Sequence, residues 1–276
     1  GGLLMPARDP LRGQTVLVTR SRKQAAELTA LLEAAGARVV RFPTIEVLPP
    51  ADPERLEQAL GELGRYQWLV LTSPNGVAAV RQVMERRGLD ASALAGVRVA
   101  AVGPGTARAL MEWGVEPELV PERFETVYLA DALVQRGVQG AEVLVARSLL
   151  GSPLLVERLR EAGARVTEVE AYRVEVAQEE GDLTPEKVRE ALDQGSIDWV
   201  TLTSPSTTSG LIQRLGGWER RWSARTRVAC IGPVTAQRCR ELGLPVDLES
   251  PVSSLQGLVD ALVEASGQGE GRRSEW

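Results

Sequence analysis

No histidine occurs among the 276 residues, which removes Ser-His triads, histidine metal sites and histidine acid–base chemistry together. Cysteine is nearly absent too. Cys230 and Cys239 are spaced poorly for a disulfide framework or a metal site, so a reduced cytoplasmic setting is the expectation. Lysine appears only at Lys23 and Lys187 and asparagine only at Asn75, while arginine is abundant. That bias suits a heat-adapted or high-GC source and says nothing about function. No apolar run approaches the ~20 residues of a membrane span. The opening GGLLMPARDPLR lacks the pattern of a signal peptide and reads as a frayed start. A net charge of −5 gives no reason to expect nucleic acid as a partner.

What is present suits a soluble globular protein of one large or two ordinary domains, with 43% hydrophobic and 25% charged residues. The chain is written twice. VLVTRS (16–21) returns as VLVARS (143–148), and GARVV (36–40) as GARVT (163–167). LTSP (71–74) returns at 202–205, RVAAVGP (98–104) as RVACIGP (227–233), and LADALV (129–134) as LVDALV (258–263). Five blocks in one order, each displaced by roughly 130 residues, mean a duplicated unit of domain size.

Each copy alternates short β-branched runs (TVLVTR, ARVVRF, WLVLTS, RVAAVG) with helical stretches such as QAAELTALLEAAG, where Gly36 stands at the expected C-terminal cap. Buried parallel strands with helices on both faces follow. The fold class is therefore α/β, as two similar doubly wound parallel-sheet domains. FPTIEVLPP (42–50) and VEAYRVEVA (169–177) break the rhythm at equivalent places and alternate like exposed ribbons, so they read as connectors between domains. The last residues, 266–276, are polar and read as a mobile tail.

In open parallel sheets, ligands bind beyond the carboxyl ends of the strands. Six such junctions are Thr19-Arg20-Ser21, Thr72-Ser73-Pro74, Gly103-Pro104-Gly105-Thr106, Ala146-Arg147-Ser148, Thr203-Ser204-Pro205 and Gly232-Pro233-Val234-Thr235. Ser or Thr before Pro is also an ordinary helix cap, worth ~1 kcal/mol, and the glycines can simply permit tight turns. The caps explain each junction singly and the whole collection poorly. Should the two sheets face each other, the six would line one cleft rich in N–H groups and hydroxyls, suited to a polyanion. No GxGxxG, no GxxxxGK[ST] and no carboxylate-tipped strand is found, so dinucleotide, P-loop and receiver-type phosphoacceptor readings lack support. Glu179-Glu180 reads as a solvated loop.

The ordered set VTR…TSPNGV…AVGPGTA…VARS…AYRV…TSPST…IGPVTA closely resembles uroporphyrinogen-III synthases over nearly all of residues 14–264. The resemblance implies flavodoxin-like domains with a chain that begins in one, builds the other, and returns. Residues 1–43 with 175–265 would form the first domain and 48–169 the second, with 44–47 and 170–174 as a two-stranded connector. It implies a lyase that closes hydroxymethylbilane to uroporphyrinogen III with inversion of ring D and loss of water. No cofactor and no metal is implied. The partners implied are the linear tetrapyrrole and, transiently, the preceding enzyme of the pathway, with neither nucleic acid nor membrane; a monomer is expected.

By position in the motifs, Tyr172 of AYRV matches the tyrosine proposed in the family to assist departure of the hydroxyl; a ring packing on the hinge is the plainer reading. Thr106 and Thr235 match the threonines of the G-x-x-T loops that Gly103 and Gly232 open. Arg20, Ser21, Ser73, Asn75, Gly76, Arg147, Ser148, Ser204, Ser206 and Thr207 stand in the loops expected to meet carboxylates. Two rivals remain on residues alone. A non-catalytic two-lobed binder of a tetrapyrrole or other polyanion fits the missing catalytic constellation; a nucleotide-sugar transferase would need ribose carboxylates and a phosphate loop that are not found.

Overall fold

The computed structural model describes residues 9–123, 126–217 and 222–273. Its elements run β1 (Thr15–Val18), α1 (Ala25–Ala34), β2 (Arg38–Arg41), β3 (Ile45–Leu48), α2 (Pro53–Gly61), β4 (Trp68–Leu71), α3 (Pro74–Arg86), β5 (Arg98–Ala101), α4 (Gly103–Trp113), α5 (Thr126–Arg136), β6 (Glu142–Arg147), α6 (Leu154–Glu161), β7 (Arg165–Glu170), β8 (Arg173–Val176), α7 (Pro185–Gln194), β9 (Trp199–Leu202), α8 (Pro205–Arg214), β10 (Arg227–Cys230), α9 (Pro233–Glu241), β11 (Leu248–Glu249) and α10 (Leu255–Arg273). The chain divides into two compact units, residues 1–46 with 175–276, and residues 47–174.

The first unit holds a five-stranded sheet in the order β11-β10-β9-β1-β2, and the second a four-stranded sheet in the order β5-β4-β6-β7. All the registered pairings within both sheets are parallel. With β6, β7, β4 and β5 standing for β1, β2, β9 and β10, the two orders are the same. A single bridge, Ala100 to Leu119, stands where the first unit has β11.

The strands read as unbroken apolar runs because both faces are covered. In β4, Leu69 and Leu71 enter one core with Val77, Val80 and Tyr172, while Trp68 and Val70 enter another with Leu129, Leu133 and Leu155. In β1, Leu17 packs with Leu192 and Leu211, and Val16 and Val18 with Leu28, Leu32 and Leu258. Burying each such side chain contributes ~1.5–3 kcal/mol, so the inner strands dominate the energetics. Helix starts follow the Ser/Thr/Asp-Pro pattern. Asp52, Ser73, Thr184 and Ser204 each cap the helix that the next proline begins.

Three expectations need correction. Leu11, in the opening expected to be frayed, is fully buried, and its N–H donates to Ala35 O at 2.8 Å; residues 1–8 lie outside the described residues. Residues 266–273 continue α10, whose Leu258, Val259 and Leu262 enter a core and whose Ser266 Oγ donates to Leu262 O. Residues 274–276 lie outside the described residues. The connectors are not exposed ribbons throughout. Phe42, Thr44 and Ile45 are buried, as are Ala171 and Tyr172, because each crossing packs under a helix before β3 and β8 pair as a two-stranded sheet. Finally, β7 and β11 do end on carboxylates, Glu170 and Glu249; β7 leads into the crossing rather than a helix, so its end does not read as a strand–helix junction.

Candidate active site

In the second unit, β4 ends at Leu71 and the chain turns through Ser73 into α3. Ser73 is extended, and its Oγ accepts from Gly76 N–H at 3.1 Å, closing the helix start. That same Oγ lies 2.7 Å from the hydroxyl of Tyr172. Gly76 is glycine for room, since a Cβ would stand 3.3 Å from Ala146 O at the end of β6. Asn75 is half-buried beside it. Three strand ends, β4, β6 and β7, thus meet around one phenol.

Tyr172 is 9% exposed and packs in the core with Leu69, Leu71 and Val77, leaving chiefly its polar end at the strand tips. Burial pushes its pKa up, while the Ser73 hydrogen bond and the positive charge of Arg147 act the other way. The net shift is upward, so at neutral pH the group is a phenol and can donate. Ser73 Oγ already accepts from Gly76, so its own proton can go to the phenol oxygen, leaving the phenol proton free to point outward.

Next along the sheet, β5 runs into α4 through Gly103, whose φ of 76° is left-handed and suits glycine. A Cβ at Gly105 would stand 3.7 Å from Pro74 Cγ, so the starts of α3 and α4 lie near each other. Thr106 is buried in the first turn.

The first unit presents the counterpart loops differently. Ser204 and Thr207 form a reciprocal capping box, and Ser204 Oγ lies 3.1 Å from Ser206 Oγ. Gly232 is extended, a backbone that any residue adopts, and a Cβ there would displace the Ser253 hydroxyl. Thr235 is buried like Thr106. In the corresponding crossing of the first unit, Thr44 is fully buried, and its hydroxyl donates to the carbonyls of Thr19 and Thr207 at 3.2 and 2.8 Å. Only the second unit carries the phenol.

The two arginines predicted as a matched pair do not match. Arg147 is 3% exposed, donates to Glu168 and to Ser152 O, and is covered by the turn at Gly151. Arg20 is half-buried, with Nε donating to Gln24 O at 3.0 Å. Ser21 Oγ donates to Gln24 Oε1, and Ser148 Oγ accepts from Leu150 N–H. Sequence reasoning missed Glu168. Its only signal was a glutamate in VTEVE, next to a strand ending in arginine.

A family model described as uroporphyrinogen-III synthase HemD matches residues 26–260. A uroporphyrinogen-III synthase of Synechococcus elongatus is 32% identical over 93% of this chain and 97% of its own length. A porphyrin biosynthesis protein HemD of Ruminiclostridium josui is 30% identical over 94% of this chain, which spans half the length of that protein. Among solved structures, a mutant uroporphyrinogen III synthase of Thermus thermophilus is 22% identical, with a TM-score of 0.64 over 93% of this chain and 100% of its own. The synthetase of Helicobacter pylori, 15% identical over 91% of this chain and 99% of its own, superposes with a TM-score of 0.57 and shares the fold.

Proposed function

The chain belongs to the uroporphyrinogen-III synthase family, and on that premise we propose that Tyr172, held by Ser73, assists the loss of hydroxide as hydroxymethylbilane closes to uroporphyrinogen III. The hydrogen bond of 2.7 Å between the two hydroxyls at the strand ends carries this reading. The C–O bond of the hydroxymethyl group breaks, the phenol supports the departing oxygen, and water leaves. A delocalised azafulvenium cation remains on the bilane. The substituted carbon of ring D attacks it, giving a spirocyclic pyrrolenine. Its reopening and reclosure through the other side of ring D invert that ring, and loss of a proton restores the pyrrole. The phenolate left after donation is a suitable base for that proton.

Such chemistry needs a mild acid, exclusion of water and firm control of chain conformation. A phenol with an ordinary pKa near 10, raised further by burial, is a weak acid but a secure hydrogen-bond donor. The substrate carries eight carboxylates. The N-termini of α3, α4, α8 and α9, with Asn75, Ser206 and the Gly103 and Gly232 loops, are proposed to bind them. A linear tetrapyrrole partner and a cytoplasmic setting belong to the same reading. The free, buried thiols of Cys230 and Cys239 suit a reducing compartment, and no described helix is long and apolar enough to cross a membrane.

Supplying hydroxymethylbilane enzymatically and separating the product isomers tests the activity. Isomer III should predominate, and isomer I in the proportion of an enzyme-free control would refute it. Tyr172→Phe should lower kcat by about 10- to 100-fold with KM little changed, because the lost donor acts on the departing oxygen. An unchanged kcat would remove Tyr172 from the chemistry.

A further inference from the structure

The ion pair of Arg147 and Glu168 has no part in the chemistry proposed above, and stability is a poor reason for it. Arg147 ends β6 and is 3% exposed, so its guanidinium is turned from solvent. Nε and Nη2 both donate to Glu168 Oε2, at 2.9 and 2.7 Å, and Nη2 also reaches Ser152 O at 3.0 Å. Nη1 is buried with no hydrogen-bond partner among the described residues. It lies under the turn at Gly151, where a Cβ would stand 2.9 Å from it. A buried ion pair gains little over apolar residues of the same volume, and an orphaned donor makes the balance worse.

The pair is built where Tyr172 is held. Arg147 O accepts from Ala171 N–H at 2.9 Å, so the end of β6 fixes the residue directly before the phenol. Glu168 stands on β7, the strand that leads into Tyr172, in register with Val145 of β6. Ser73 is the neutral hydrogen-bond partner of the phenol, and the neighbours Leu69, Leu71 and Val77 from β4 and α3 are apolar. Arg147 is the one charge that acts on Tyr172 among the described residues, and it favours the ionised phenol against the effect of burial. Away from water such a charge acts more strongly than it would in solvent. All three tyrosines, Tyr66, Tyr128 and Tyr172, lie in the second unit. The first unit has no tyrosine and no such pair, since the repeat aligns Glu168 with Arg41.

We infer that Arg147, locked in place by Glu168, is the positioning residue of Tyr172: its carbonyl fixes the backbone from which the phenol projects, and its charge supports the phenolate formed when the proton passes to the departing oxygen. In that step the hydroxide takes the phenol proton and leaves as water, so the negative charge stays on Tyr172. The proton lost when the last pyrrole is restored returns the phenol. The inference rests on the function proposed above and gives Arg147 a role other than binding carboxylates.

Ultraviolet titration of the whole protein, with Tyr172→Phe subtracted, reads the phenol directly, and steady-state kinetics with hydroxymethylbilane reads its use. Arg147→Met removes the charge. Tyr172 should then ionise at higher pH than in the wild type, and kcat should fall about tenfold with KM within about twofold. Arg147→Lys keeps the charge without the paired geometry, so it should bring the ionisation back toward the wild type and kcat to within about threefold. A merely structural arginine predicts the opposite order, with methionine tolerated and a poorly paired lysine not. An unmoved ionisation in Arg147→Met overturns the inference, as does Arg147→Lys no faster than Arg147→Met. Should Arg147→Met fail to fold, Glu168→Gln decides. It keeps an acceptor for Arg147 and removes the opposing charge, so Tyr172 should ionise at lower pH; an unmoved or higher ionisation overturns the inference. If the wild type makes isomer III while these ionisations stay in place, only this inference fails. If it makes no isomer III, the proposed function fails, and the titration alone decides whether Arg147 acts on Tyr172.

Discussion

Tyr172 carries its proton in surroundings that disfavour its loss, and this has a consequence for stability as well as for catalysis. Burial raises its pKa above that of a phenol in the unfolded chain, so the folded state keeps the proton to higher pH. Above about pH 10 the unfolded chain then binds fewer protons than the folded one, and stability falls as pH rises through that range. The contribution is complete at neutral pH. Between pH 8 and 11 the urea midpoint of the wild type should therefore fall more steeply than that of Tyr172→Phe; parallel slopes would deny the shift. Ser73 has two duties, since one oxygen caps α3 and orients the phenol. Ser73→Ala should cost ~1 kcal/mol in denaturant unfolding for the cap and lower kcat about tenfold, while Ser73→Thr keeps most of both. Loss of stability without loss of kcat would leave the serine a cap only. None of this pairing was legible in the sequence, where Ser73 and Tyr172 stand 99 residues apart. The repeated Thr-Ser-Pro showed the cap, and the phenol's place beside it depends on β4 and β7 flanking β6.

At the scale of elements, the crossing at residues 42–45 shows how closely helix and strand are fitted. Gly210 lies inside α8, where glycine is ~1 kcal/mol worse than alanine. Propensity alone says Gly210→Ala should stabilise. Packing says the reverse, because a Cβ at Gly210 would overlap Thr44 O and press on Ile45 Cγ2. Backbone cannot retreat as a side-chain tip can, so α8 must shift and weaken the bond from Thr44 Oγ1 to Thr207 O. We expect a net loss of about 1–3 kcal/mol, the usual cost of overpacking. A raised thermal midpoint would mean that the crossing yields to the extra methyl group. Most elements were readable because their signals are local: apolar runs buried on two faces, Ser/Thr-Pro starts, and a glycine past the end of α1. What failed to read was decided at a distance. Leu11 is held by the carbonyl of Ala35, and α10 by a core drawn from β1, β9 and β10.

At the scale of the molecule, the duplicated sequence and the folded units are out of register. The repeat begins again near residue 140, within the second unit, yet each unit contains the same strand order because the chain enters the second at a different strand. Offsets between blocks revealed the duplication; they carried no information on which strands share a sheet. The resemblance supplied that division. The cores give it a physical test. The two apolar cores around β4 and β6 draw every buried member from residues 56–172, and those around β1 and β9 draw theirs from residues 11–32, 37–42 and 188–262. The second unit is one continuous stretch that closes both its cores, whereas the first needs two distant stretches. Residues 47–174 expressed alone should therefore fold cooperatively, with a stability within the ~5–15 kcal/mol of ordinary domains. The Ser73–Tyr172 hydrogen bond lies wholly inside this stretch, so ultraviolet titration should show Tyr172 ionising above the range of a free phenol, identified by its absence in Tyr172→Phe. A fragment with the circular dichroism of an unfolded chain would show that the second unit depends on the first. A folded fragment would show that the unit carrying the phenol closes both its cores without help from the first.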